Sequence, residues 1–345
     1  DVFYSLRDIS YWGMIPALSS DSHERSTYTA LGSFGGSIGY NGLTIVVIPI
    51  VTYFSWVFTG ELAESQSGWT CFGIIVGLLG LLTAWTVAFG TKENESALRS
   101  KAQENGNPIE AFKAIFQNDQ LLWVALSYLL YAIANVATTG VLIFLFKFIL
   151  DNQAAYSLTG VIALVAGLVM APLYPILNKR IPRRYLYIGG MISMIAGYVM
   201  LGIFSDNIIM VFVALVLFYV PGTLIQMTAI LSLTDSIEYG QLKNGKRNEA
   251  VTLSVRPMLD KIAGACSNGI VGFIAVAAGM IGDATAADMT AANIGMFKVC
   301  AFYVPLGIIV LSLLVFLFKV KITEKMHDEI VEELEAKLAS GEISE

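Results

Sequence analysis

The sequence predicts an all-α integral membrane protein of nine spanning helices, and three observations carry that reading. Of 345 residues, 56% are apolar and only 14% charged, where soluble domains carry about 25% charged residues. The apolar residues stand in long blocks, unlike the period-2 pattern of half-buried strands or the narrow stripe of surface helices. The connections between blocks alternate between rich and empty in lysine and arginine, the asymmetry that orients spans in a bilayer.

In order, the spans fall at residues 1–18, 28–58, 69–90, 121–150, 157–177, 185–204, 208–234, 250–280 and 294–320. The first basic connections are 19–27, with Arg25, and 91–120, with Lys92, Arg99, Lys101 and Lys113. Connection 178–184 adds Lys179, Arg180, Arg183 and Arg184, and 235–249 adds Lys243, Lys246 and Arg247. The tail carries Lys321, Lys325 and Lys337, whereas 59–68, 151–156, 205–207 and 281–293 contain no lysine or arginine. The positive-inside rule therefore predicts that the first set and the tail are cytoplasmic and that the chain starts outside. Beginning at Asp1 inside an apolar stretch, it reads as a fragment.

Two segments outside the spans have helical periodicity. After Asn107-Pro108, the residues Ile109, Phe112, Ile115 and Phe116 share one face; such a helix lies on the membrane surface or packs on the protein. Residues 323–338 place Met326, Ile330, Val331, Leu334 and Leu338 on one stripe opposite acids, which predicts a cytoplasmic amphipathic helix. Cys71, Cys266 and Cys300 are widely spaced and give neither a disulfide framework nor a metal motif. Both histidines, His23 and His327, lie outside the spans, so no histidine-rich metal cluster is expected.

The stretch 235–261 organises the rest. Its first half reads as a charge-dense loop, and its second half carries Arg256, Asp260 and Lys261 into a span. Counted from Glu249, Lys261 lies about 18 Å along the helix axis, near the middle of a hydrocarbon core about 30 Å thick. A charge there costs about 2.5–3.5 kcal/mol and needs a partner or a wet cavity. In the first span, Tyr4, Asp8 and Trp12 recur on one helical face, with Asp8 about 16 Å from the basic end. A carboxylate between two amphipathic aromatics suits a sugar, because the acid accepts hydroxyl bonds and the indole stacks on the ring. The other reading pairs Asp8 with Arg7 and makes the aromatics interfacial or core. Gln226 is a further ligand candidate, long and able to donate and accept. Asn135, Thr138 and Thr139 read as bonds across helices, and Gly32, Gly35, Gly36 and Gly39 as a face for close helix packing.

At this point the residues resemble a family. The run Asp235-x-x-Glu238-Tyr239-Gly240, then Lys243-x-Gly245-x-Arg247-x-Glu249, then Ser254 and Lys261, is similar to the signature of the glycoside–pentoside–hexuronide:cation symporters. Arg7-Asp8-Ile9-Ser10-Tyr11-Trp12 resembles that family's fourth helix, and residues 177–184 resemble its basic loop between helices eight and nine. The likeness covers essentially the whole chain and points to the galactoside branch. It implies a major-facilitator fold of twelve helices, of which four to twelve are present. Residues 1–90 would then complete the first half-bundle, 91–120 form the central loop, 121–321 the second half-bundle and 322–345 the tail.

The resemblance also implies roles. Asp8 and Trp12 stand where melibiose permease, a more distant member, binds sugar, and Tyr4 stands one turn before Asp8. Lys261 stands at the junction of sugar and cation sites. Gln226 replaces a sugar-binding tryptophan, Arg256 replaces a glutamine, and Ser33 falls near a missing arginine. The coupling set is Asp8, Lys261, Asp235, Glu238, Lys243, Arg247 and Glu249. The expected cargo is a galactoside with H+ or Na+, without a cofactor and without nucleic acid. The acidic pair on the second helix that holds the cation lies outside the chain, so this fragment is not expected to transport alone. A regulatory domain or a phosphocarrier protein beyond the C-terminus is a further expectation.

Other classes fit less well. A membrane-embedded enzyme needs a nucleophile–base or metal constellation, and no histidine lies in a span. Within the same resemblance the alternative cargo is another glycoside, a pentoside or a hexuronide, or a lysolipid; a lipid would favour an apolar cavity over Asp8, Gln226, Arg256 and Lys261. A receptor or passive structural protein leaves charges at mid-membrane in two spans unexplained.

Overall fold

A computed structural model of the chain describes residues 22–61, 65–92, 116–244, 249–282 and 284–340, together with 7, 10, 11, 14 and 113. All regular structure among them is helical. Among the described residues eight helices are long and apolar enough to cross a membrane, and they correspond to the second through ninth predicted spans. The first span, 1–18, and the amphipathic helix over 107–116 fall mostly outside the described residues. The chain divides into two compact units, Asp1–Asn105 and Gly106–Glu345.

In the first unit, α1 (Ser22–Thr59) and α2 (Gln66–Gly90) pack on each other as a hairpin. Ser65 caps α2 by accepting from the Gly68 amide, and its own amide and hydroxyl both donate to the fully buried Ser55 hydroxyl at 2.9 Å. A Cβ on Gly68 would lie 2.2 Å from the Ser55 Oγ. The close approach of the two helices is therefore here, at a serine and a glycine, as expected where no hydrophobic force separates helix from lipid. On the predicted glycine face, a Cβ on Gly32 would lie 2.9 Å from the Tyr11 hydroxyl, whereas among the described residues one on Gly35, Gly36 or Gly39 would meet open space. Small residues permit close packing but do not attract a partner.

The second unit contains α3 (Asp119–Phe144), α4 (Ser157–Asn178), α5 (Arg183–Ile203), α6 (Ile208–Asn244) and α7 (Glu249–Ala277). It closes with α8 (Ala291–Lys298), α9 (Val304–Lys319) and α10 (Glu324–Ala339). One π turn, Leu145–Ile149, extends α3, and another, Val299–Tyr303, joins α8 to α9. Helix α3 is the hub, packed against α6, α7 and α9, while α5 joins α6 to α9 and α4 lies on α6. The core is aromatic: Tyr128, Tyr131, Tyr187, Tyr198, Phe146 and Phe218 are all fully buried. Hydroxyls at this depth must find protein partners. The Tyr187 and Ser127 hydroxyls meet at 2.9 Å, and Tyr198 donates to the Ala134 carbonyl at 3.0 Å. Thr138 meets the Tyr198 hydroxyl at 2.8 Å, the interhelical bond expected of that patch, whereas Thr139 bonds within its own helix.

The expected loop over 235–249 is largely helix. Helix α6 continues unbroken to Asn244; its 37 residues span about 55 Å, against about 30 Å of hydrocarbon. Its last ten residues therefore overhang the apolar block. They stay helical because both faces of the overhang are paired with other elements. The amphipathic helix α10 forms as predicted, burying Ile330 and Leu334, and it packs on α6.

Candidate functional site

Two polar constellations are built in the second unit. The first lies at mid-depth on α3 and α7. The Tyr128 hydroxyl donates to Asp260 Oδ1 at 2.7 Å. Arg256, one turn earlier on α7, approaches Asp260 Oδ2 with Nε at 3.8 Å and lies against the same phenol. That separation exceeds hydrogen-bonding distance, and Nε itself is buried without a hydrogen-bond partner. The Arg256 and Asp260 side chains are 33% and 41% exposed, and Lys261 is exposed. One turn along α3, the Tyr131 hydroxyl donates to the Gly222 carbonyl of α6 at 3.3 Å. The two tyrosines therefore link α7 on one side to α6 on the other, one turn before Gln226. Tyr128 lies about 13 Å from the start of α3 and Asp260 about 16 Å from the start of α7, so both sit near the bilayer midplane.

The second constellation occupies the lysine- and arginine-rich end. Asp235 accepts from Arg183 at 2.7 Å; the same guanidinium reaches Glu324 at 3.2 Å, and the Arg183 amide donates to Glu324 as well. His327 Nε2 lies 3.5 Å from Glu238 and 3.9 Å from Asp235. Arg184 donates to the Leu317 and Val320 carbonyls, closing the end of α9. On the other face of α6, Tyr239 donates to Asp119 at 3.0 Å and Lys243 pairs with the same carboxylate. Asn118 caps α3 and donates to the Ser236 carbonyl at 2.7 Å. A Cβ on Gly240 would lie 2.6 Å from the Asn118 amide nitrogen, which gives the glycine of the motif its physical reason.

Electrostatics divides the acids of this end. Burial pushes Asp119 up, but hydrogen bonds from Lys243, Gln120 and Tyr239 outweigh it and bring the carboxyl down to about 2. Asp119 in turn raises Lys243. At Asp235 burial dominates and raises the carboxyl, against the opposing pull of Arg183 and His327. Among the described residues no group of three or more histidine, cysteine or acidic side chains is placed to hold a metal ion.

With this geometry in hand, comparison with known proteins is decisive. Residues 1–324 match the family described as MFS/sugar transport protein. The chain belongs to this family. Among relatives of this MFS sugar-transport chain, the lactose permease of Leuconostoc lactis is 52% identical over 341 residues, covering 99% of this chain and 53% of the relative. The lactose permease of Lactobacillus helveticus is 49% identical over 343 residues, covering 99% and 53%. The raffinose carrier protein of Pediococcus pentosaceus is 36% identical over 335 residues, covering 97% and 52%. The chain thus spans about half the length of the curated relatives it matches.

Within this MFS chain the predicted site residues are distributed unevenly. Tyr4, Asp8, Trp12 and Arg247 lie outside the described residues. Arg256 and Lys261 stand together on α7, with Gln226 on the neighbouring α6. Asp235 and Glu238 come together around His327, whereas Lys243 turns to Asp119. Glu249 is the first residue of α7. Sequence reasoning did not place Tyr128, Asn118, Asp119, Glu324 or His327 in a site, and it read Arg183 as a topogenic charge. Only Tyr128 carried a local signal, through its spacing from Tyr131.

Proposed function

We propose that this chain is part of a cation-coupled galactoside symporter working by alternating access, with H+ or Na+ as the coupling ion. The observation that carries the reading is the Tyr128–Asp260–Arg256 cluster beside Lys261 at mid-depth. Charged groups in a membrane interior mark substrate and ion pathways, and this one combines donors and acceptors suited to sugar hydroxyls. The relatives named lactose permease support the galactoside class. In this reading Tyr4, Asp8, Trp12, Gln226, Arg256 and Lys261 are the residues that bind the sugar.

The basic end is the cytoplasmic side in this reading, as is the C-terminus, and residues 1–90 and 121–321 belong to the two half-bundles. Asp235, Glu238, Lys243, Arg247 and Glu249 act in coupling. Ion pairs at a helix end can differ between inward- and outward-open packings, which alternating access requires. Regulation through a domain or phosphocarrier beyond residue 345 belongs to the same proposal. A second reading, a larger galactoside, is favoured by the raffinose carrier match.

The test is uptake of radiolabelled lactose and raffinose by the full-length transporter in proteoliposomes under imposed pH or sodium gradients. Accumulation driven by one gradient identifies the cation. Absence of sugar uptake under both would overturn the reading.

A further inference from the structure

Charged residues are rare in the six apolar segments of the second unit. Across 121–146, 157–177, 185–204, 208–234, 252–278 and 299–318 they are Arg256, Asp260 and Lys261 alone, all on α7. Lys147, Lys298 and Lys319 lie just beyond these ranges, near the ends of their helices. The unit therefore presents two cations and one anion within six residues of a single helix at mid-depth.

Two cations so placed would attract an anionic sugar. Asp260 offsets one of them, and the structure holds it there: Tyr128, fully buried on α3, donates to Oδ1 at 2.7 Å. The Arg256 guanidinium stands over Oδ2 at 3.8 Å, near enough for Coulomb attraction without a closed hydrogen bond. Asp260 is also 41% exposed, so its charge is felt outside the helix packing. A carboxylate needed only to satisfy Arg256 would be expected to close on it. This one is fixed from a different helix.

We propose that Asp260, positioned by Tyr128, is a charge-selectivity determinant: its negative charge weakens the attraction of Arg256 and Lys261 for a glycoside bearing a carboxylate or sulfonate, and so favours a neutral one relative to the same site without it. The proposal rests on the sugar-site reading above. Its physical basis is that one full charge at about 5–7 Å, in an effective dielectric of about 20–40, changes the affinity of an anion by about tenfold to hundredfold.

The experiment compares equilibrium binding of lactose with that of lactobionate, a galactoside ending in a carboxylate, in the purified full-length transporter. In Asp260→Asn the ratio of affinities should shift toward lactobionate by at least about tenfold. The double variant Asp260→Asn with Arg256→Gln restores the wild-type net charge and should restore the ratio. Arg256→Gln alone, which lowers the charge, should shift it toward lactose, and this variant decides the matter if Asp260→Asn does not fold. Tyr128→Phe keeps every charge and should move the ratio less than Asp260→Asn does. If wild type binds lactose but the ratio is the same in all variants, the selectivity role is wrong and the sugar site stands. If wild type binds neither compound, the sugar-site reading fails and the proposal with it.

Discussion

Arg183 and Asp235 meet at 2.7 Å with side chains 14% and 13% exposed, and through this pair three elements share one joint. Arg183 is the first residue of α5, Asp235 stands in the overhang of α6, and Glu324, on the same guanidinium, is the first residue of α10. Removing the arginine would leave a buried carboxylate beside Glu238 without its main partner.

Arg183→Ala should therefore lower unfolding stability by about 3 kcal/mol, the low end for a broken buried pair because some solvent reaches it. Asp235→Asn, which keeps an acceptor, should cost less. The tail provides a second readout, since α10 loses the anchor at Glu324. Limited proteolysis should cut after Lys325 faster in Arg183→Ala than in wild type, and equal rates would show that Ile330 and Leu334 hold the tail alone.

The pH response of this end follows from its two displaced acids. Asp119 sits at about 2 when folded, below its ordinary 3.8. Its contribution is present above 3.8 and is lost as pH falls through about 2. Asp235 is raised, so its contribution has the opposite sense, present below the ordinary value and lost as pH rises through the folded one. Asp119→Asn should flatten the acid limb of a melting-temperature profile between about pH 4 and 2. An unchanged limb would mean that Lys243 does not hold Asp119 in solution.

Sugar binding is expected to depend on the first span. Asp8→Asn and Trp12→Ala should each weaken lactose binding by about 1–3 kcal/mol, by loss of hydroxyl acceptance and of stacking respectively. Wild-type affinity in both variants, in folded protein, would leave the interfacial reading.

The charges of the α6 overhang are expected to act in coupling. Substituting Lys243 or Glu249 should slow gradient-driven uptake more than it weakens equilibrium sugar binding. Unchanged uptake at normal surface expression would reduce these residues to an orientation signal.

Topology can be read by cysteine labelling with an impermeant reagent. Gln66, Asn152 and Asp288 should label from outside, and Asn178 and Glu342 from inside. Labelling of Asn178→Cys from outside would break the alternation.

The second through ninth spans and the tail helix were legible in the sequence because each is decided locally. A run of apolar residues long enough for the bilayer becomes a helix whatever its neighbours do, and the stripe carrying Ile330 and Leu334 needs only one apolar surface. The same holds for the depth of Lys261 and Asp260, which follows from counting residues along α7. What tertiary structure decided is where polar groups find partners. The 235–244 segment looked like a loop because its charges had no visible counterparts; those counterparts, Asn118, Asp119, Arg183, Glu324 and His327, come from distant parts of the chain. Gly240 was only a letter in a motif until Asn118 approached it, and Asp260 only a charge until Tyr128 donated to it from α3. Hydrophobic burial depends on composition over a window and can be read in one dimension. A hydrogen bond or ion pair forms within about 3–4 Å and depends on direction, so it exists only once packing has brought two helices together.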